Sequence, residues 1–230
     1  MVLYLIIFFI MGAIFGSFYH VIGYRLPKGE SLIKPVYSYC PNCEKRLHWY
    51  ELIPIFSYLI QFGKCRKCNK HISIFYPFIE LLTGLLFAVS FYSFGFSYEL
   101  IIALVLSSLF SIVIVSDLMY MIIPDEVTYT CALIIIIINF LNLGFINGLI
   151  QLGYGILTFL AMYLVMLFGN FLFKKESLGG ADVKLMLISG LVLHPILGLF
   201  VIFIASCIAL PASILVYFTN KEHMIHLDLL

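Results

Sequence analysis

Glu99-Leu100-Ile101-Ile102-Ala103-Leu104-Val105-Leu106-Ser107-Ser108-Leu109-Phe110-Ser111-Ile112-Val113-Ile114-Val115-Ser116-Asp117-Leu118-Met119-Tyr120 is a run of apolar and small residues with no charge between its two acids. A helix needs about 20 such residues to cross the hydrocarbon core of a bilayer. Reading this stretch as a membrane span decides the fold class, and it leaves Asp117 at the edge of the span. A carboxylate near hydrocarbon costs roughly 2.5–3.5 kcal/mol on insertion scales. A second acid repeats the pattern: Gly179-Gly180-Ala181-Asp182-Val183-Lys184 opens another apolar run.

Outward from these two places the rest of the chain reads the same way. Of 230 residues, 63% are hydrophobic and 11% charged, against about 25% charged in an ordinary soluble domain. Apolar stretches of spanning length occupy 2–22, 75–94, 99–116, 127–143, 148–173 and 196–218, with a shorter one at 183–193. The shorter one rises only about 16 Å as a helix. All 13 Lys and Arg residues fall within 25–70, 174–184 or at Lys221, and none falls in the alternate loops near 95–97, 143–147 and 194–195. Seven crossings with the N-terminus outside place every cation on the cytoplasmic face, as the positive-inside rule requires. A count of seven to eight spans is therefore expected in an all-α polytopic membrane protein. The start of the chain has no basic segment ahead of its apolar run, so residues 1–23 are expected to be a retained first span. A net charge of +1 gives no ground for a nucleic-acid partner.

The sizeable polar segment, 24–74, lies between the first two spans and carries Cys40-Pro41-Asn42-Cys43 and Cys65-Arg66-Lys67-Cys68. Two Cys-x-x-Cys knuckles at this separation suit a tetrahedral four-cysteine zinc site. About 50 residues make little core of their own, so a metal staple is the expected device. Lys45, Arg46, Lys64, Arg66 and Lys67 are expected to stabilise the anionic metal–thiolate centre. The competing reading is a thiol–disulfide relay to a quinone. That chemistry belongs on an oxidising face, whereas these cysteines sit in the most cation-rich and hence cytoplasmic loop. Cys131 and Cys207 lie inside apolar runs and read as small hydrophobic residues.

Asp117 would sit beside the negative end of a helix macrodipole, an unfavourable place for a structural acid. Asp182 follows three small residues and is read equally well as a helix N-cap or as a functional group. Asp125, after Pro124, reads first as an N-cap, and Glu80 near the start of the second span reads as either a structural or a substrate-contacting acid. Gly179 and Gly180 allow backbone and water to approach closely. Sequence gives His20, His48 and His71 no role. Because both spans meet the cytoplasmic boundary at their acids, Asp117 and Asp182 form a candidate dyad: two neighbouring carboxyl groups share a proton, so that one activates water and the other polarises a carbonyl.

With these residues in view the chain resembles the type IV prepilin peptidases, membrane aspartyl proteases that process type IV pilins and related pseudopilins. The resemblance runs almost end to end. It covers Gly16-Ser17-Phe18 through Arg25-Leu26-Pro27, both cysteine knuckles, Tyr76-Pro77 with Glu80-Leu81, Asp117 with Pro124-Asp125, and Gly179-Gly180-Ala181-Asp182-Val183-Lys184. The family's last motif has glycine where Ala181 stands. The resemblance implies that Asp117 and Asp182 are the catalytic pair within a protease core at 75–220, followed by a cytoplasmic tail at 221–230. It implies a prepilin or pseudopilin substrate cut after a glycine that ends a basic leader, at the cytoplasmic face of a prokaryotic inner membrane. It further implies methylation of the new N-terminus from S-adenosylmethionine, in keeping with the retained cysteine insert. Lys184 is assigned a supporting part, lowering a carboxylate pKa or holding the substrate's glutamate. A transporter with a zinc-ribbon regulatory loop is the alternative from another class. It would want acids or broken helices near the bilayer midplane, whereas here the acids gather at one edge.

Overall fold

The computed structural model describes residues 1–35, 37–40, 42–174, 179–208 and 210–211. The expected end of the last span near Phe218, and the tail at 221–230 with Lys221, lie outside the described residues. The helices are α1 (Val2–Arg25), α2 (Phe56–Ile60), α3 (Phe75–Phe94), α4 (Tyr98–Tyr120), α5 (Asp125–Phe173), α6 (Gly180–Val192) and α7 (Pro195–Ile208). Among the described residues there is no strand, only isolated bridges Tyr39–Arg46 and Lys64–His71. The chain divides into two compact units, Met1–Gly144 and Phe145–Leu230.

Among the described residues, four helices (α1, α3, α4 and α5) are long and apolar enough to cross a membrane. With 49 residues, α5 would rise about 74 Å, more than twice a hydrocarbon core of about 30 Å. It is divided at Gly144, whose φ of 79° and ψ of 171° break the helical path. The loop expected at 143–147 is thus a break at one residue, because the polar residues around it stay helical. Asn142 does so by donating its side-chain amide to the Ile138 carbonyl at 2.9 Å. α6 starts earlier than the apolar run beginning at Val183, taking Gly180, Ala181 and Asp182 into its first turn. Its 13 residues rise about 20 Å, and Leu193 leaves it in an extended conformation just before Pro195 begins α7.

In the first unit α1 lies against α3 at near backbone contact. A Cβ on Gly12 would come within 2.6 Å of the Thr83 carbonyl and 2.9 Å of Gly84 Cα, and one on Gly16 within 3.0 Å of Glu80 Cα. Glycines four residues apart clear one face of the helix for such an approach, the usual packing device between helices in lipid. Hydroxyls bind α3 to α4: buried Thr83 donates to Ser111 Oγ at 2.9 Å, and Ser90 meets Ser107 at 3.4 Å. Tyr19 on α1 reaches Ser108 on α4 at 2.7 Å. Away from the insert the unit is closed by Phe8 stacked on Phe91, ring centroids 4.5 Å apart, over Leu100.

In the second unit residues 145–173 pack on α6 by the same device. A Cβ on Gly190 would meet the Tyr154 carbonyl at 2.7 Å, and Thr158 donates to the Met186 carbonyl at 2.9 Å. Met162, Val183 and Met186 form the core there. Cys131 is buried among apolar neighbours, as its place in an apolar run implies.

Gly12→Leu should destabilise the α1–α3 contact by about 1–3 kcal/mol, the usual cost of overpacking, and lower the thermal midpoint of detergent-solubilised protein. Gly153→Ala, where a Cβ meets nothing within 4 Å, should leave the midpoint unlowered, or raise it slightly because alanine is the better helix former.

Candidate functional site

The insert folds around its cysteines as two copies of one backbone motif, 25 residues apart. In the first, the Cys40 N–H donates to the Lys45 carbonyl at 3.0 Å and the Glu44 N–H to the Cys40 carbonyl at 2.9 Å. In the second, the Cys65 N–H donates to the Lys70 carbonyl at 2.9 Å and the Asn69 N–H to the Cys65 carbonyl at 2.9 Å. Glu44 and Asn69 both take positive φ, 54° and 55°, to close their turns. The result brings Cys40, Cys43, Cys65 and Cys68 together with every sulfur within 4.8 Å of the others. Cys40–Cys68 and Cys43–Cys65 are each separated by 3.9 Å, and all four thiols are free. A tetrahedral metal with thiolate bonds of about 2.3 Å requires sulfurs about 3.8 Å apart, so this donor set fits one.

Of the five cations expected to stabilise the sulfurs, Lys45 is felt by Cys65 as a neighbouring charge. Lys45 Nζ is paired with Glu51 Oε1 at 2.8 Å. Arg46 lies over the Tyr37 ring at 5.0 Å and Arg66 over the Tyr50 ring at 5.2 Å. Backbone dipoles act in the same sense: the N–H groups of Cys68 and Lys67 draw the Cys65 thiol down to about 6. The Lys45 N–H acts in the same sense on Cys43, but burial and the sulfurs of Cys68, Cys40 and Cys65 outweigh it and push that thiol up to about 11.

Two buried acids build the insert and its junction with the helices. Glu51 accepts from the His48 N–H at 3.0 Å and from Lys45, capping the short turn Trp49–Leu52. Burial alone would raise the Glu51 carboxyl, but the His48 N–H and the Lys45 ammonium hold it below the ordinary carboxylate range. Glu80, buried on the second turn of α3, accepts from the Ile55 N–H at 2.7 Å and from the Ser17 side chain of α1. Ile55 has φ of 64° and opens α2, so this carboxylate holds a strained corner of the insert against two helices. Between the two roles left open for Glu80, the structure gives it a structural partner.

The other candidate acids stand at helix ends, in different units. Asp117 is exposed one turn from the end of α4, its carbonyl accepting from the Met121 N–H at 2.8 Å where Met121 takes positive φ. That helix end is fixed to α1. Tyr120 and Tyr24 have ring centroids 5.9 Å apart, with Lys28 Nζ 4.0 Å from the Tyr24 ring and 5.6 Å from the Tyr120 ring. Asp125 is the first residue of α5 and not its cap; Pro124 holds the cap position, and its carbonyl accepts from Thr128. In the second unit Gly179 caps α6, which moves Asp182 to the third helical position, with its N–H donating to the Gly179 carbonyl at 3.1 Å. A Cβ on Gly179 would lie 3.4 Å from Asp182 Oδ2, so glycine keeps that side of the carboxylate open, whereas Gly180 faces open space. Asp182 is exposed and Lys184 half-buried on the same helix.

A cavity of about 620 Å³ lies in the first unit between α1, the start of α3 and the insert. Sequence reading passed over one of its residues, His20, which is 2% exposed on α1. Its ring stacks on Tyr76 with centroids 3.9 Å apart. The available signal was an ionisable side chain inside an apolar run, which in a membrane protein marks function by default.

These features define a helical membrane protein with a four-sulfur metal-type insert and acids at its helix ends. Two family models divide the chain between them: the bacterial peptidase A24 N-terminal domain matches residues 10–94 and the type IV leader peptidase family matches residues 103–214. The chain is similar to a prepilin leader peptidase/N-methyltransferase of Bacillus subtilis, 40% identical over 81% of this chain and 73% of that protein. A protein of the same name from Myxococcus xanthus is 39% identical over 82% of this chain and 56% of its own length. One from Vibrio cholerae is 32% identical over 79% and 74% respectively. No solved structure matches at a significant level. The chain belongs to the type IV leader peptidase family.

Glu51→Gln should destabilise the insert by about 1–3 kcal/mol at neutral pH, since the buried His48 N–H loses a charged acceptor. The Glu51 pKa is depressed in the fold, so its contribution is complete above the unfolded carboxylate value and is lost as pH falls through the folded one. The gap between wild type and variant in limited proteolysis should therefore close on acidification below about pH 4. A gap independent of pH would assign Glu51 a packing role only.

Proposed function

We propose that this chain is an aspartyl endopeptidase that cuts the basic leader, after glycine, from type IV prepilins or pseudopilins at the cytoplasmic face of the inner membrane. The observation that carries the reading is the similarity to the prepilin leader peptidase/N-methyltransferase of Bacillus subtilis over 81% of this chain. Asp117 and Asp182 are the proposed catalytic pair. One carboxylate takes a proton from the attacking water while the other, protonated, polarises the scissile carbonyl. The topology that serves this chemistry has seven crossings with the N-terminus outside, α6 being the short one, so that the ends of α4 and the start of α6 face the cytoplasm. The open side of Asp182 beside Gly179 leaves room for water or a peptide bond. Lys184 and Asp125 support the pair by charge or by contact with the substrate.

The four cysteines hold a structural zinc ion, which their spacing fits and which staples an insert too small for a core. The reading includes methylation of the new N-terminal amine. S-adenosylmethionine supplies the methyl group on a positively charged sulfur; the amine lone pair takes it, the C–S electron pair stays on sulfur, and the amine proton passes to water.

Purified protein in nanodiscs, incubated with a full-length prepilin and followed by intact mass, should remove the leader and add one methyl group. Asp117→Asn and Asp182→Asn should each slow leader removal by at least about 100-fold, the lower range for loss of an acid–base group. Full cleavage by either variant would refute the dyad. Lys184→Ala should retain metal and fold but cleave more slowly; unaltered processing would remove its supporting role. Cys40→Ser should lose bound zinc, measured by metal analysis.

A further inference from the structure

Helix α2 is turned the wrong way round for a segment in water. Its residues fall on two faces at helical spacing. Ser57, Tyr58 and the C-cap Gln61 line the cavity between the insert and α1. Phe56, Leu59 and Ile60 take no part in that lining and are 65%, 61% and 64% exposed. Phe62, just beyond the helix, is 87% exposed. A helix on a soluble domain buries its apolar face and leaves its polar face in water. Here the polar side is inward and the apolar side outward, and an exposed apolar patch of this kind marks a surface with a partner.

The backbone is held in this orientation. Ile55 at φ 64° and Phe62 at φ 50° bracket the helix, conformations that bulky side chains keep only where the surroundings fix them. At the first corner the fixing group is Glu80, whose carboxylate accepts from the Ile55 N–H at 2.7 Å. That bond also sets a depth. α3 has 20 residues and rises about 30 Å, the thickness of a hydrocarbon core, so Phe75 stands at one edge of that core. Glu80, on the second turn of α3, is about 8 Å inside it. A helix lying in a membrane interface buries its apolar face about 5–10 Å into the boundary between headgroups and acyl chains. The two depths agree.

We infer that α2 is an interfacial anchor: Phe56, Leu59, Ile60 and Phe62 enter the bilayer beside α3, so that the insert lies on the membrane and does not stand clear of it. The occupant of the patch is lipid. Besides the depth, the neighbouring surface of α3 favours lipid over a protein partner, because Phe78 and Leu81 are exposed on either side of Glu80 in the sequence, on a helix fit to cross a membrane. The anchor has a consequence for the cysteines. Phe62 leads through Gly63 and Lys64 into Cys65, so lipid on one side and Glu80 on the other hold the second knuckle at the membrane surface. The inference rests on α3 crossing a bilayer and is independent of the peptidase and methyltransferase readings.

The test is fluorescence quenching of the full chain in nanodiscs. The chain has a single tryptophan, Trp49, so Trp49→Phe gives a background in which Leu59→Trp or Phe62→Trp reports from the patch. Both positions are exposed and Phe62 is already aromatic, so the larger ring needs no room. The discs are made of phosphatidylcholine, either plain or brominated on the upper part of its acyl chains, and iodide is added to the buffer. Each tryptophan should lose most of its emission to the brominated lipid and little to iodide. Quenching by iodide but not by the brominated lipid would overturn the inference, since the patch would then lie in water. Resistance to both quenchers would also overturn it and place the patch against protein, either a second copy or another segment of this chain. Adding Leu59→Asp and Ile60→Asp to the Phe62→Trp chain should expose the reporter to iodide. Unchanged quenching by the brominated lipid in that chain would show that the patch does not anchor the insert.

Discussion

The near-backbone contact of α1 with α3 is the constraint on which the first unit depends. Lipid tails are as apolar as leucine, so burial gives two helices in a membrane little reason to associate; close packing and hydroxyl bonds must do it. Gly12 and Gly16 remove the side chains that would separate α1 from Thr83, Gly84 and Glu80. Because that contact runs toward the ends of both helices that lead into the insert, the two ends of the insert start from one place. Ser17 and Ile55 can then converge on a single carboxylate, Glu80, and the cavity beside His20 is a consequence of the same convergence.

Within that frame the insert is a duplicated turn closed by four sulfurs. Its stability comes from backbone hydrogen bonds repeated at Cys40 and Cys65, from Glu51 under its short turn, and from the charge a metal would neutralise. The acids proposed for hydrolysis stand near the end of α4 and at the start of α6.

What could be read from sequence was local. Apolar runs marked the long helices, and the Cys-x-x-Cys spacing marked a cluster that the fold does assemble, because each run and each knuckle is a signal carried by neighbouring residues. What could not be read was set by packing between distant segments. Glu80 looked like an acid at a helix start, and only its distance to Ile55, 25 residues away, reveals the anchor. His20 looked idle until Tyr76 and the insert enclosed it. Asp125 and Asp182 were each read as possible caps, but the caps fall on Pro124 and Gly179 because the helices begin earlier than their apolar runs. The cations near the cysteines could be assigned to the sulfurs by proximity, but not their second partners: Glu51 for Lys45, and the rings of Tyr37 and Tyr50 for Arg46 and Arg66. The repeat of the knuckles shows in sequence only as Cys-x-x-Cys-x-Lys at 40–45 and 65–70, because the rest of its signature is backbone hydrogen bonding.

The central claim is that Asp117 and Asp182 act on one peptide bond, and it is tested most directly by asking whether positions 117 and 182 meet. Cysteines placed at both positions, with Cys131 and Cys207 replaced by alanine and metal left on the insert, should be joined by a crosslinker spanning only a few Å. A bound prepilin should protect them. Failure to crosslink with and without substrate, in protein that remains folded and metal-bound, would contradict the account.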